Sequence, residues 1–213
     1  MGEITNTNEI TDPADLRRLL GDPVPRAVSK ERVALHRRDR DWIAASPFLV
    51  LATSDADGNC DASPKGDPAG FVHVIDDHTL AIPERPGNRR ADGYLNILSN
   101  PHVGLIFLVP GRTETLRVNG RARLVREAAY FDDMVVRGHR PILAVEVDIE
   151  QIFFHCAKAF LRSNLWDPQR WPVSDLPSPA QLVKELQPEV TETVEELERH
   201  YAPANYETKL YQS

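Results

Sequence analysis

The chain has 213 residues and a formal net charge of −7 at neutral pH, a length that suits one domain with a full core and terminal additions. Binding to nucleic acids or anionic membranes relies on clustered positive charge, so this balance argues against both. No apolar run approaches the roughly 20 residues of a membrane-spanning helix, and the first residues lack a basic and then apolar signal. We therefore expect a cytoplasmic protein.

The two cysteines, Cys60 and Cys156, are too few and too far apart for a disulfide framework or a C-x-x-C site. His155 and Cys156 are adjacent, and neighbouring residues of a strand point to opposite faces, so we expect a structural role for this pair. There is no H-E-x-x-H or G-x-S-x-G pattern. We expect no metal site, two reduced thiols, and neither a metallohydrolase nor a serine hydrolase.

Residues 1–46 are polar and predict an N-terminal helical extension. Thr11 and Ser29 are the expected N-caps of two helices, joined by the link D-P-V-P. The run H-R-R-D-R at residues 36–40 mixes both signs of charge and is interpreted as a solvated helix face.

Strand patterns begin after Pro47, with F-L-V-L-A-T-S, C-D-A-S, G-F-V-H-V-I and T-L-A-I-P separated by turn signals such as D-A-D-G-N. Successive strands joined by short turns predict an antiparallel meander.

The next segment, Asn88 to Ser99, predicts a helix with Asn88 as its N-cap and one apolar face, formed by Ala91, Tyr94, Leu95 and Leu98. Its first turn would carry Arg89 and Arg90 against the positive end of the helix dipole, which is unfavourable by about 0.3–1 kcal/mol each. A bound anion such as phosphate would reverse that cost, because N–H groups and guanidinium groups would converge on it. Alternatively, both arginines point to solvent.

Further strands follow: H-V-G-L-I-F-L-V, a long strand from Thr113 to Val125, and P-I-L-A-V-E-V-D-I, with a short helix near Glu127–Val135. Gly120 inside the long strand predicts a bulge or bend. The sum is a mainly β fold with flanking helices and six or seven antiparallel strands, enough for a small barrel. No G-x-G-x-x-G or G-x-x-x-x-G-K motif supports a Rossmann or P-loop fold.

Residues 167–213 predict a C-terminal helical tail. Ser178 and Gln181 form a capping-box pair with Pro179 at the first helical position. Beyond Pro188, a second helix carries an apolar stripe, which we expect to pack on the barrel or on a partner subunit. The stripe is Val190, Val194, Leu197 and Tyr201.

The motifs S-P-K-G-D-P-A-G-F, T-L-A-I-P-E-R-P-G-N-R-R, N-I-L-S-N-P-H-V-G-L-I-F-L-V-P-G, E-T-L-R-V-N-G-R-A and F-F-H-C-A-K-A occur in this order. Together they resemble the FMN-binding split β-barrel family related to pyridoxamine 5′-phosphate oxidase, over roughly Phe48 to Trp166. The resemblance implies a split β-barrel at residues 47–166 and a homodimer that binds FMN at the subunit interface.

The resemblance also implies the residues of the flavin site. The phosphate would be bound just after the strand that ends in Ile82 and Pro83, by Arg85, Asn88, Arg89 and Arg90. The segment along the flavin ring would be Ala62, Ser63, Pro64, Lys65 and Gly66. Thr115 and Arg117 align with polar positions of a further strand that approaches the cofactor.

The sequence departs from the oxidase pattern in two places. E-T-L-R stands where the oxidase has an R-Q-V-R type strand, and the R-L-H-x-R type substrate motif is absent. Both departures argue against pyridoxamine phosphate as substrate. Lys158, Arg162 and Trp166 could contact a substrate or second cofactor, or could form an ordinary helix with a packed tryptophan.

The implied activity is an FMN-dependent oxidoreductase that passes hydride or electrons between a reduced nicotinamide, NADH or NADPH, and a small acceptor. The alternatives are a non-catalytic flavin-binding protein, and the same barrel using a deazaflavin or haem. The resemblance assigns no catalytic side chain.

Overall fold

The computed structural model describes residues 9–171 and 176–212 of the chain. Two compact units divide at residue 31. The first contains helices α1 (Pro13–Leu20) and α2 (Pro25–Val28), and the N-cap of α1 is Asp12, not the expected Thr11, because the Asp12 carboxylate accepts the Ala14 N–H. The three-part division of the chain predicted from the sequence stays a prediction.

The second unit is built on one antiparallel sheet. In the described part of the chain its strands are β1 (Phe48–Ser54), β2 (Cys60–Gly66), β3 (His73–Val74), β4 (Thr79–Pro83), β5 (His102–Leu108), β6 (Thr115–Val125) and β7 (Ala144–His155). Their order across the sheet is β2-β1-β5-β6-β7-β4-β3. The predicted mainly β fold with six or seven antiparallel strands is confirmed, and the number in the described residues is seven.

Two strands differ in length from the prediction. β2 continues through Pro64 to Gly66, which is possible because β2 pairs with β1 alone and an edge strand tolerates a residue without an N–H donor. β3 has only two residues. Before it, Gly70 turns the chain at a positive φ of 84°, and the Gly70 N–H donates to the Ser46 carbonyl.

The helices around the sheet are α3 (Arg37–Ala45), α4 (Asp92–Ser99), α5 (Lys158–Ser163), α6 (Pro179–Leu186), α7 (Val194–Tyr201) and α8 (Pro203–Tyr206). Short 3₁₀ helices span Ala129–Met134, Pro168–Arg170 and Glu207–Lys209. The helix predicted near Glu127–Val135 is therefore a 3₁₀ helix.

Alternating residues of the central strands form the core. Leu49 and Leu51 of β1 are fully buried with apolar residues of β5, β6 and β7. Period-2 alternation puts these side chains on one face, so burying that face stabilises the curved sheet. The largest of the others are Leu105, Phe107, Leu116, Val118 and Ile152.

A bulge bends the sheet at Gly120. The register of β6 with β7 shifts between Asn119, which pairs with Gln151, and Gly120, which pairs with Ile149. A Cβ atom on Gly120 would lie 2.1 Å from the Asp148 carbonyl oxygen, so only glycine allows this approach. The predicted bend at Gly120 is confirmed.

Side-chain ion pairs join the two ends of the curved sheet. Lys65 of β2 pairs with Glu84, just after β4, at 2.8 Å, and Arg85 pairs with Asp67, just after β2, at 2.7 Å. The strand order separates β2 from β4 by four strands. The barrel is therefore closed here by side chains, and no backbone ladder joins β2 to β4 in the described residues.

The N-cap of α3 is His36, which forms a capping box with Asp39. The expected N-cap Ser29 is wrong, because Ser29 is the C-cap of α2. Asp39 is fully buried and binds the Arg32 guanidinium, because a buried carboxylate requires a charged or hydrogen-bonding partner. The interpretation of residues 36–40 as a solvated face is therefore wrong at Asp39.

The tail forms two helices that contact each other, α6 and α7. The predicted capping box of Ser178 and Gln181 is confirmed, and Thr193 with Glu196 forms a second one at α7. Leu197 is buried, and the other three residues of the predicted stripe are half-buried. Packing of this stripe on a partner subunit stays a prediction.

No helix among residues 9–171 and 176–212 has both the length and the apolar character needed to cross a membrane.

We expect Gly120→Ala to destabilise the protein by about 1–3 kcal/mol or more, because the added methyl group would overlap the Asp148 carbonyl. Urea denaturation measures the change. Gly104→Ala is the control, since its Cβ would meet only the Asn119 side-chain oxygen at 3.3 Å and that side chain can move. Equal loss in both variants would show that the close contact is not the cause.

Candidate functional site

A cavity of about 550 Å³ lies between β2, the end of β4 and the start of α4. This volume lies in the range of small-molecule sites. One side of the cavity is formed by Leu51 and residues 61–66, and the other by residues 83–94.

The cavity collects most of the cofactor residues that the resemblance implies. The lining includes Ala62, Ser63, Pro64, Lys65, Gly66, Pro83, Arg85, Asn88, Arg89 and Arg90. Three others do not line it: Ile82 is buried in the apolar core, and Thr115 and Arg117 lie on β6 in the middle of the sheet. Their role in binding a cofactor stays a prediction.

Helix α4 begins later than predicted. Its first residue is Asp92 and its N-cap is Ala91, so Asn88 is not the cap. The Asn88 side chain instead accepts the Arg90 N–H within the preceding loop. The first turn carries the acid Asp92, and the argument that two arginines occupy it is wrong, because Arg89 and Ala91 adopt positive φ angles of 63° and 60° that no helix allows.

The apolar face of α4 is also different from the prediction. Gly93 and Ile97 are buried, whereas Leu95 and Leu98 are 61% and 72% exposed. Gly93 packs against β2, since a Cβ there would lie 3.0 Å from an Asp61 carboxylate oxygen. The start of α4 is thereby held close to the strand that forms the opposite side of the cavity.

Backbone donors are free where the cavity meets α4. Within the described residues, no hydrogen bond uses the N–H groups of Ala91, Asp92 and Gly93. All three residues line the cavity. N–H groups at the start of a helix favour an anion, because they are unpaired and lie at the positive end of the dipole.

Arg89 and Arg90 differ in their partners. Arg90 donates to the Asp92 carboxylate at 2.7 Å, and this hydrogen bond raises the pKa of Arg90. Within the described residues, Arg89 has no carboxylate partner, although it is exposed and lines the cavity. Arg89 is therefore the arginine best able to bind an incoming anion without giving up an ion pair.

Lys65, Glu84 and Tyr94 form a cluster in the lining of the cavity. The Lys65 ammonium donates to Glu84 and to the Tyr94 oxygen, and the Tyr94 hydroxyl donates to Glu84. The Lys65 side chain is 14% exposed. The Glu84 carboxylate offsets the charge of Lys65, so this lysine acts on the cavity as part of a neutral pair.

Charge nevertheless favours an anionic ligand. The lining contains four cations, Lys65, Arg85, Arg89 and Arg90, and three carboxylates, Asp61, Glu84 and Asp92. The Asp61 carboxylate accepts the Ser63 hydroxyl at 2.6 Å. The charge of Arg85 is neutralised by Asp67 just outside the lining, so the attraction for an anion comes from Arg89, which has no carboxylate partner in the described residues and lies beside the free N–H groups.

The implied substrate residues do not line the cavity in the single chain. Lys158 and Arg162 are exposed on α5. Trp166 stacks on Phe160 with ring centres 5.8 Å apart and donates its indole N–H to the Arg112 carbonyl. This packing matches the alternative of an ordinary helix with a packed tryptophan, and a substrate role stays a prediction.

Sequence reasoning missed Asp61, which accepts the Ser63 hydroxyl, and the residues that partner the cations, namely Asp67, Glu84, Asp92 and Tyr94. Glu84 stands between two quoted positions of the I-P-E-R motif, so its place next to the site was available as a signal. Tyr94 was assigned only to an apolar face. Both residues accept a hydrogen bond from Lys65 on the opposite side of the cavity, and this contact gives them a polar role.

Tyr94 predicts a pH dependence of stability. Burial, then the hydrogen bond and charge of Glu84, raise the pKa of Tyr94 above its ordinary value of 10.0. The Tyr94 hydroxyl ionises at a lower pH in the unfolded chain than in the folded protein. Its contribution to the free energy of unfolding is therefore complete below pH 10.0 and falls by at most about 1.4 kcal/mol for each pH unit above that. Tyr94→Phe lacks this loss. Urea denaturation below and above pH 10.0 measures the difference in free energy of unfolding between wild type and Tyr94→Phe, and we expect this difference to narrow as the pH rises. Tyr206→Phe is the control, because Tyr206 is exposed. A difference that stays constant with pH would contradict the assignment.

Solved structures similar to this chain include three bacterial proteins. The HupZ protein of Group A Streptococcus is 23% identical over 56% of this chain and 93% of its own, with a TM-score of 0.46. A proposed pyridoxamine 5′-phosphate oxidase of Lactobacillus delbrueckii is 27% identical over 57% and 95%, with a TM-score of 0.45. An FMN-binding protein of Syntrophomonas wolfei is 16% identical over 55% and 83%, with a TM-score of 0.44. Curated proteins gave no match.

The sequence model of one family, described as pyridoxamine 5′-phosphate oxidase, matches residues 35–156. This range contains the whole sheet and every residue that lines the cavity. The match spans more than half of the 213 residues, and the chain therefore belongs to the pyridoxamine 5′-phosphate oxidase family.

Proposed function

We propose that the cavity binds FMN and that the protein is an FMN-dependent oxidoreductase, which passes hydride or electrons between NADH or NADPH and a small acceptor. One observation carries the proposal: a single cavity, whose other side is β2, is lined by residues 91–93 with free N–H groups and by Arg89, which has no carboxylate partner in the described residues. Family membership makes a flavin the first candidate for a ligand with a phosphate group.

The start of α4 fits the phosphate. Three backbone donors and the Arg89 guanidinium can approach one anion from two sides, which combines dipole and charge-assisted hydrogen bonds. Arg90 can join them by exchanging Asp92 for the ligand. Asn88 fixes the loop by accepting the Arg90 N–H, so its proposed role is to shape the phosphate site.

Residues 61–66 of β2 fit the flavin ring. Ala62 and Pro64 provide apolar surface, and Ser63 provides a hydroxyl that Asp61 orients. When bound, FMN supplies the hydride and electron chemistry. The Lys65–Glu84 pair sets the charge at this end of the cavity, and its near neutrality predicts a weaker effect on the flavin than a free lysine would have.

We propose a homodimer that uses the outer face of β1 and β5. Val50 pairs with Ile106 and Ala52 pairs with Gly104 in register, which forms a face of apolar residues. Ile106 is 39% exposed. Arg117 pairs with Ile106 on the next strand, so a second copy on this face would bring Arg117 into the interface, although the single chain keeps it away from its own cavity.

The decisive experiment for FMN is to release the bound cofactor by denaturation and identify it by mass. FMN supports the proposal; a deazaflavin or haem would replace it with one of the alternatives. Titration with NADH and NADPH under anaerobic conditions then separates enzyme from carrier. Bleaching of the flavin followed by reoxidation supports an oxidoreductase, and an unbleached flavin supports a flavin-binding protein.

We expect Arg89→Ala to weaken FMN binding by about 1.5–3 kcal/mol, the range for a lost hydrogen bond to a charged group. Arg90→Ala should weaken it less, because Arg90 must first leave Asp92. Isothermal titration of the cofactor-free protein measures both. Arg126→Ala, an exposed arginine outside the cavity, is the control. Unchanged affinity in Arg89→Ala would remove this residue from the phosphate site.

We expect Ile106→Arg to convert the dimer into monomers, because two copies of the new charge would be buried against each other without a partner. Sedimentation velocity measures the mass. The control is Leu186→Arg, at a position that is 74% exposed on α6 outside this face. A dimer in both variants would exclude this face as the interface.

A further inference from the structure

Tyr211, from the segment after α8, lies against the residues that close the barrel. Its hydroxyl donates to the Asp67 carboxylate. Its ring stacks on His139, with ring centres 5.6 Å apart, and the Arg85 and Arg137 guanidinium groups lie 5.8 and 5.7 Å from the ring centre. The Tyr211 side chain thus contacts four residues that are far from it in the sequence.

Arg85, the residue most constrained by this arrangement, lines the cavity. Its guanidinium donates to Asp67 at 2.7 Å, to the Met134 carbonyl at 2.6 Å and to the His139 carbonyl at 3.1 Å. The Arg85 side chain is 12% exposed and that of Asp67 is 2% exposed. Arg85 therefore ties the loop after β4 to the end of β2 and to residues 134–139.

Tyr211 completes this set of contacts. One Asp67 oxygen accepts from Arg85 and the other from Tyr211, so the tyrosine satisfies the carboxylate and covers it. Removing water from around an ion pair strengthens it, because the local dielectric constant falls. Burial, the hydrogen bond and the negative charge of Asp67 raise the pKa of Tyr211, which keeps the hydroxyl a donor at neutral pH.

We propose that Tyr211 is a positioning residue of the cofactor site, acting through Asp67 and Arg85 to hold the loop of residues 84–91. The identity of the ligand, FMN, rests on the proposed function. The effect of Tyr211 on the loop rests only on the contacts described above. The loop carries Arg89 and leads into the free N–H groups of α4. Without Tyr211, water reaches Asp67, Arg85 gains alternative positions, and the phosphate site loses its fixed geometry.

The first test needs no cofactor. Hydrogen exchange of the backbone in residues 84–91 is compared between wild type, Tyr211→Ala and Tyr206→Ala, all as full chains without cofactor. Tyr206 is the matched control, because it lies in the same tail and contacts His200 and Tyr201 instead of the cavity residues. We expect faster exchange in this loop for Tyr211→Ala alone. Unchanged exchange, or equal change in both variants, would overturn the proposal.

The second test measures FMN. We expect Tyr211→Ala to raise the dissociation constant by about threefold to tenfold and to change the visible circular dichroism of the bound flavin, which a loss of tail stability alone would not do. Tyr211→Phe keeps the ring contacts and should give a smaller change in the same direction; it also replaces the alanine variant if that does not fold. If both variants bind FMN as tightly as the wild type does, the proposal is overturned. If the wild type does not bind FMN, the proposed function is overturned, and the hydrogen-exchange experiment alone decides the role of Tyr211.

Discussion

The ion pairs Lys65–Glu84 and Arg85–Asp67 are the interactions on which the rest of the site depends. They join the edge strand β2 to the residues after β4, across a sheet in which these strands are not neighbours. A ladder of backbone hydrogen bonds would have sealed the barrel at this place. Side-chain closure leaves a cavity there instead, and it aligns the loop of residues 84–91 with β2. The same residues thus close the fold and form the binding site.

This double use explains how the cations are distributed. Lys65 and Arg85 are largely buried, and each is neutralised by the carboxylate with which it closes the barrel. Arg90 is exposed and paired with Asp92, and Arg89 is exposed without a carboxylate partner in the described residues. An arginine that holds the structure, Arg85, and an arginine that can receive a ligand, Arg89, therefore lie on one short loop. A family motif rich in arginine does not distinguish them.

The backbone of the loop supports the same interpretation. Arg89 and Ala91 both have positive φ angles, which costs of order 1 kcal/mol or more for a residue with a Cβ atom. The surrounding contacts maintain this conformation: Asn88 binds the Arg90 N–H, and Gly93 packs against Asp61 and Ser63 of β2. The consequence is a helix that starts at Asp92 and whose free N–H groups belong to residues that line the cavity. A regular helix from Asn88 would have placed those groups elsewhere.

The sequence by itself determined the antiparallel strands, the bend at Gly120, the capping box at Ser178 and the family, because strand alternation, caps and motifs depend on residues close together in the chain. Only the tertiary structure decided where α4 begins, which arginine is unpaired and what Tyr211 contacts. Those outcomes depend on pairs such as Arg85 with Asp67, 18 positions apart, and Tyr211 with Asp67, 144 positions apart. Burial of the apolar face of the sheet brings such residues together during folding. A local sequence pattern therefore cannot show which distant residue a side chain will contact.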